Sequence, residues 1–374
     1  MRDVFGEATI TLEDGSILSK WGEYSINSEF LTPTDGWSFS TTTLANWRAL
    51  RDVLKKDKRI EVRVDGNLQL TGWIDEVKVS CGGTSGLTVN VQGRDVLKVL
   101  CDANVHPSMP IKGKKIYEVV EATIFSLYPN MGRKIITDND SNRDILTGVK
   151  GFKTGKKARK TQTELDYCKA KHNEGAFEFL ARNLRRFGLW IWSDAAGNIV
   201  VSGPDYDQAP SYSLIHRDGE RSVKILNASY TEKATQAPSH ILVHGKGAQL
   251  EWEKSTAEGF IQDDSRSLYV PRYVFHEQCT TNDEAQALAE QEMSEARKDA
   301  RVYECTLIGH TDRDTGRTYA IDTVAHIEDD YLGVHEDMYV RERTFSKSAT
   351  GGTTTTLKCV PLGSITFSDV DHAE

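Results

Sequence analysis

Along the first hundred residues, apolar and polar positions alternate with a period of two. In RIEVRV, Ile60, Val62 and Val64 share one face, DGN turns the chain, and EVKVSC and LTVNVQG repeat the alternation across a GGTSG loop. Strand side chains point alternately to opposite faces, so the pattern predicts an antiparallel meander with one face buried and the other open to solvent or a partner. A short helical piece around ANWRALRDVLKK interrupts it.

From about Gly93 to Pro210 the period changes. GRDVLKVLCDANV and KIYEVVEATIFSLY carry apolar residues at helical spacing, and a long polar connection follows from Asn130 to Lys160. Polar connections of this length are usually functional, mobile or part of an interface. GAFEFLARNLRRFGLWIWSDAAGNIVV, beginning at Gly175, then condenses a helix and a hairpin into one unit. Phe177, Leu180, Leu184 and Phe187 form an apolar stripe, with Arg182, Arg185 and Arg186 elsewhere on the helix. Gly188 suits a left-handed helix cap, and SDAAGN suits the turn between strands LWIW and IVVSG.

Beyond Tyr212 strands dominate again: SVKILNASYTEK, SHILVHGKG, RVYECTLIG, TVAHIEDD, DMYVRERTFS and TTTTLKCV. A helix over 282–300 lies among them, with Asn282 or Asp283 placed to cap it. The end, SITFSDVDHAE, reads as a loose acidic tail. Two distant stretches echo each other. WIDEVKVSCGGTSGLTVNVQG, from Trp73, and YVRERTFSKSATGGTTTTLKCVP, from Tyr339, share the order strand, Gly/Ser/Thr turn, Thr-bearing strand. A duplicated barrel-like domain explains both with one cause.

The length of 374 residues predicts two or three domains. With 38% hydrophobic and 27% charged residues the composition is that of a soluble globular protein, and no apolar run is long enough to span a bilayer. MRDVFGEATITL lacks the apolar core of a secretory signal, which points to folding in a cytoplasm. The six cysteines, at 81, 101, 168, 279, 305 and 359, show no C-x-x-C spacing and read as reduced, mostly buried thiols. A net charge of -9 argues against general nucleic-acid binding. The run KGFKTGKKARK is the exception: Lys150, Lys153, Lys156, Lys157, Arg159 and Lys160 stand without an acid among them. It reads either as a solvated loop or as a contact to DNA, phosphate or an acidic partner.

No catalytic constellation is visible, whether G-x-S-x-G, H-E-x-x-H or a Walker phosphate loop. His240 and His244 fall in the strand-like HILVH without a third ligand nearby in sequence. Asp263 with Asp264, and Asp329 with Asp330, are adjacent acids that serve glycoside hydrolysis only if folding sets partners at the required separation. The Asp-Thr-Gly of DRDTGRTY reads as a turn.

In order along the chain, LTGWIDEV leading to VNVQGRDVLKVLCDANV, the EFLARNLRRFGLWIWSDAAGNIVV unit, the helix from Asn282 with YECTLIGH, and TGRTYAIDTVAHIEDDYLGVHEDMYVRERTFS resemble the baseplate hub proteins of contractile-tailed phages. The likeness is to the Mu-type tail protein P family, related to the amino-terminal part of type VI secretion spike proteins. It implies a β-rich mixed α+β fold: two tube-type antiparallel β-barrel-like domains, 1–100 and 211–360, an intervening α/β region at 101–210, and a tail at 361–374. It further implies a structural, non-enzymatic hub without cofactor, metal or catalytic residues. Three copies would form a ring of six similar domains that adapts a sixfold tail tube to a threefold central spike. The implied partners are the tail tube and spike proteins, then the tape-measure and baseplate wedge proteins. DNA would be met only as a passing genome, with no stable membrane association. Its place would be the virion's tail baseplate, after assembly in the host cytoplasm. The acidic balance would help a lumen repel DNA. Two rival readings are a tail-associated cell-wall hydrolase, which needs converging acids, and a carbohydrate-binding adhesion module with Trp190 and Trp192 exposed as sugar platforms.

Overall fold

The computed structural model describes residues 7–42, 47–48, 50–82, 86–106, 116–127, 135–137, 170, 172–185, 189–219, 224–234, 238–245, 257–264, 266–276, 279, 281–297 and 300–365. The first stretch supplies β1 (Ala8–Leu12), β2 (Ile17–Leu18), β3 (Glu23–Glu29), β4 (Gly36–Thr41), β5 (Arg59–Val64), β6 (Asn67–Gly82) and β7 (Gly86–Asp95). The middle supplies α1 (Lys98–Asp102), α2 (Ile116–Leu127), β8 (Ile135–Thr137), α3 (Ala176–Arg185), β9 (Trp190–Ser193) and β10 (Ile199–Ser202). After it come β11 (Tyr212–His216), β12 (Ile225–Glu232), β13 (His240–His244), β14 (Glu258–Gln262), β15 (Pro271–Phe275) and α4 (Asn282–Arg297). The chain closes with β16 (Arg301–Ile308), β17 (Thr323–Asp329), β18 (Val334–Ser348) and β19 (Gly352–Pro361).

The fold is β-rich mixed α+β. One sheet takes strands from both ends of the chain in the order β12-β16-β19-β18-β3-β4-β7-β6-β5-β1-β2, with β17 on β18 and β11 on β17. Antiparallel alternation sets its inner face: Ile60, Val62 and Val64 of β5 are all buried, and so are Cys305, Leu307, Phe345, Leu357 and Cys359 from the later strands. These side chains share one hydrophobic cluster with Ile10, Ile26 and Val91, so both ends of the chain bury apolar area against each other. The DGN turn is a two-residue hairpin loop with Asp65 and Gly66 both at positive φ, the geometry that matches strand twist.

The middle region forms a second core. Phe177, Leu180 and Leu184 of α3 pack with Leu100, Val120, Ile124, Trp190 and Ile199, and Phe30, Tyr339 and Val360 enter the cluster from the large sheet. The helix-hairpin unit therefore docks on strands from both ends of the chain. Its turn closes as expected, with Gly197 at positive φ and the Asp194 carboxylate accepting from the Asn198 backbone and side-chain N–H groups. The stripe position Phe187 and the proposed cap Gly188 lie outside the described residues. The sequence expectation over GRDVLKVLCDANV is shortened: Gly93, Arg94 and Asp95 continue β7, and helix begins only at Lys98. Asp95 makes the break, its carboxylate accepting from the Leu97 backbone N–H at 2.9 Å.

A third, small unit was not anticipated strand by strand. β13 lies between β14 and β15, and α4 covers that sheet through Ala285, Ala289 and Met293 against Ile241 and Val243. The helix sits close because Gly259 has no side chain; a Cβ there would come within 2.2 Å of the Ala285 backbone.

Candidate assembly interface

The sequence echo is a structural repeat. In β6–β7 the register runs Ile74 opposite Gly93, then Glu76 opposite Gln92, leaving Asp75 as a bulge. In β18–β19 it runs Val340 opposite Cys359, then Glu342 opposite Lys358, leaving Arg341 as a bulge. Each counterpart lies 266 positions later: 76 and 342, 92 and 358, and the hairpin glycines Gly86 and Gly352, at φ 67° and 68°. The first pair after each bulge is polar in both, Gln92 donating to Glu76 at 2.9 Å and Lys358 to Glu342 at 2.7 Å. A bulge sharpens local twist and is hard to place twice by accident.

Neighbouring strands repeat as well. β4 joins β7 through Trp37 opposite Gly93, and β16 joins β19 through Tyr303 opposite Cys359, at the same offset. β3 joins β4 through Ile26 opposite Trp37, as β12 joins β16 through Tyr230 opposite Tyr303. Thus β3-β4-β7-β6 and β12-β16-β19-β18 are two copies of one unit, with β5 and β17 continuing them.

The copies meet where β18 pairs with β3, from Glu342 opposite Glu29 to Lys347 opposite Tyr24. Phe345 faces Ile26 across this seam, and both are fully buried. Arg343 is buried there too. Its guanidinium donates to Ser28 Oγ at 2.6 Å and Gln69 Oε1 at 2.7 Å, and lies 4.0 Å from the centre of the Phe345 ring. Burial pulls Arg343 down to about 10, so it remains protonated at neutral pH. His310 sits between Tyr24 Oη at 2.8 Å and Thr355 Oγ1 at 3.0 Å, and burial lowers it to about 3. Because the Thr355 hydroxyl donates to Gly309 O, it accepts from Nδ1–H, and Nε2 accepts from Tyr24.

Near the same seam, Asp95 accepts from the Asp35 backbone N–H and from Ser193 Oγ, tying β7 to the middle hairpin. Burial pushes both carboxyls up, and the charge of Asp35 adds to the effect on Asp95. Sequence reading missed these groups. The only signal was that alternation through RERTFS puts Arg343 on the same face as Phe345.

Opposite the core, the two copies present one continuous polar face: Ser38, Asn90 and Gln92 from the first, Thr306, Thr354 and Thr356 from the second. Its charges are mixed, Lys78 and Lys358 standing among Glu76, Glu304 and Glu342. The overall acidity is not concentrated here.

Among the sheet edges that carry no partner strand in the described residues are the half of β6 beyond the bulge and the outer side of β12. Val79 is 41% exposed, whereas its counterpart Phe345 is fully buried.

The remaining sequence candidates are placed apart. Lys150, Lys153, Lys156, Lys157, Arg159 and Lys160, with Cys168, lie outside the described residues. Trp190 is buried, and Trp192 packs against the edge of Phe30 while donating to Ser202 Oγ, so the pair forms no exposed platform. His240 meets the ring of Phe260 at a tilt and that of Tyr269 edge-on, and buried His244 lies 3.6 Å from Glu258. Asp263 is bound by Arg297, and fully buried Asp329 accepts from Tyr303 and contacts His216. Lys224 bridges Asp312 and Asp314, holding the Asp-Thr-Gly turn. Cys279, Cys305 and Cys359 are buried; Cys81 is exposed.

This architecture is that of solved phage-tail proteins. The tail protein from Neisseria meningitidis MC58 superposes with a TM-score of 0.78 at 19% identity, over 98% of this chain and 99% of that one. The 43 kDa tail protein of prophage MuSo2 from Shewanella oneidensis gives 0.76 at 19% identity, over 96% and 99%. The E. coli c3393 protein, a type VI secretion component described as similar to the T4 tail proteins gp27 and gp5, gives 0.53 at 8% identity, over 94% and 76%. Residues 9–95 match the family model of the Mu phage baseplate assembly protein GpP-like, N-terminal, a stretch that coincides with the first copy of the repeat. No curated protein matches the chain.

Proposed function

We propose that the chain is the structural hub of a contractile-tail baseplate, three copies forming a ring that adapts a sixfold tail tube to a threefold spike. The observation that carries this is the repeat: one chain holds two copies of a strand unit joined edge to edge, so three chains present six. The fold shared with phage tail proteins supports the same reading. The division is a first tube-type domain at 1–100, a middle region at 101–210 that wedges the two, a second tube-type domain at 211–360 and a tail at 361–374.

The polar face would line the channel. Hydroxyl and amide side chains with balanced charges give a passing genome few cations to bind, and mixed charge keeps the wall wetted. The tube and spike proteins would sit on the ring's two faces, and the tape-measure and wedge proteins are further partners. The basic run from Lys150 to Lys160 is proposed as a contact to one of these or to DNA. The setting is the virion's tail baseplate, assembled in the host cytoplasm.

Light scattering of the purified chain at tens of micromolar tests the ring. A trimer has three times the 41.8 kDa mass of the chain; a monomer, alone and with the cognate spike, refutes the reading.

A further inference from the structure

Trp190 and Trp192 offer no platform to a sugar, but the small unit of β13, β14 and β15 exposes aromatic rings of its own. Side chains alternate along β13, so Ile241 and Val243 turn to α4 while His240 and Leu242 face the other way. Leu242 lies opposite Phe260 of β14 on one side and Tyr273 of β15 on the other. Phe260 and Tyr273 are 49% and 58% exposed, and Tyr269, just before β15, is 69% exposed. Large rings gathered on one face mark a binding surface, whereas single exposed apolar residues do not. The polar groups among them are held in place. Ser239 Oγ accepts from the Val270 backbone N–H at 2.7 Å and lies 2.7 Å from His240 Nδ1, and the His240 ring sits between those of Phe260 and Tyr269, with centres 5.9 and 4.9 Å away. A hydrogen bond joins the Tyr269 and Tyr273 hydroxyls. In the row beside the rings, Gln262 stands opposite His240 and donates to Asp264 Oδ1 at 2.7 Å.

We propose that this face binds an extended, uncharged, β-1,4-linked glycan. Charge decides against an anionic ligand. Along the three strands the positions on this face hold Glu258 and no lysine or arginine, while Arg272 turns to the other face and meets Glu292 of α4 at 4.0 Å. Acids without cations repel phosphate, so a nucleic acid or an anionic lipid headgroup does not fit. A neutral pyranose does. Its C–H face is drawn to the negative face of an aromatic ring, and its hydroxyls fall at the rim, where the Gln262–Asp264 pair and the His240 imidazole supply donors and acceptors. Phe260 and Tyr273 stand two strand spacings apart, about 10 Å, which is close to the disaccharide repeat of a β-1,4-linked chain lying flat. The glycan backbone of the bacterial cell wall is the chain of this chemistry that a tail would meet. That choice of source rests on the hub reading; the binding chemistry does not.

Isothermal titration of the full-length chain with chitohexaose tests the site. Saturable binding in the millimolar range is expected, with none for maltohexaose, whose α-linked chain coils and presents no flat ribbon. Tyr269→Ala and Tyr273→Ala remove exposed rings and leave the core untouched, and each is expected to weaken binding about two- to tenfold. Tyr331→Ala, which removes an equally exposed ring far from β13 in the strand order, is expected to leave the affinity unchanged. Absence of saturable heat from chitohexaose, or equal affinity in the parent and both tyrosine variants, overturns the glycan site. If chitohexaose gives no heat while Tyr273→Ala weakens association with the cognate spike, the face docks a protein and the proposal is equally overturned. The hub reading stands or falls separately: a trimer that binds no glycan overturns the site alone, and a chain that binds chitohexaose through these tyrosines but stays monomeric with its spike keeps the site and overturns the hub.

Discussion

Gly93 is a point of close backbone packing in the first copy of the repeat, and Gly93→Ala measures how much the fold depends on it. An added Cβ would lie 1.9 Å from the Trp73 carbonyl oxygen and 2.6 Å from Cζ2 of Trp37. Neither neighbour can retreat cheaply. Trp73 is laddered to β5 on its other side, and Trp37 is buried against Phe39, with ring centres 5.9 Å apart. Overpacking of this kind costs about 1–3 kcal/mol. A stretched ladder hydrogen bond adds about 0.5–1.5 kcal/mol, and the lower entropy of the unfolded alanine chain returns about 0.4–1 kcal/mol. Together these terms give a loss of about 0.5–4 kcal/mol, centred a little above ~2 kcal/mol. Gly36→Ala on the neighbouring strand is the control, because a Cβ there meets nothing within 4 Å. Urea unfolding followed by tryptophan fluorescence reads both variants. A Gly93→Ala midpoint shift no larger than that of Gly36→Ala would refute the account of tight crossing at the bulge.

Three further outcomes follow from the seam. His310, lowered by burial to about 3, stays neutral in the folded state while the unfolded ring protonates near its ordinary 6.5, so its contribution is present above that value and lost as pH falls towards 3; His310→Gln should lose less stability than the parent between pH 6.5 and 4, read by thermal unfolding. Asp95 has the opposite sign: its raised value means that stability falls as pH rises from the ordinary aspartate range towards neutrality, and Asp95→Asn should flatten that fall whatever its absolute midpoint. Phe345→Ala removes a fully buried ring shared by both copies and should cost about 3–5 kcal/mol by denaturant titration; a loss under about 1 kcal/mol would mean that the seam is not part of the core.

Much of this protein could be read from one dimension. The period-two runs named the buried face of β5 and marked β6, β7 and β16 to β19 as strands, because side-chain alternation is a local property of any strand. The apolar stripe of α3 and its hairpin were equally local, and the echo between Trp73 and Tyr339 announced the repeat. What local pattern leaves open is which strand lies beside which. Ladder hydrogen bonds look alike wherever they form, and β3 finds β18 across more than 300 residues only because Phe345, Ile26, Arg343 and Ser28 fit there together. The same gap hid β14 and β15 of the small unit, short strands that carry little alternation and belong to a sheet covered by α4. The buried polar groups, Arg343, His310 and Asp95, were illegible for a related reason. A charged or polar residue in a sequence reads as surface, and only folding supplies the partners that make its burial tolerable.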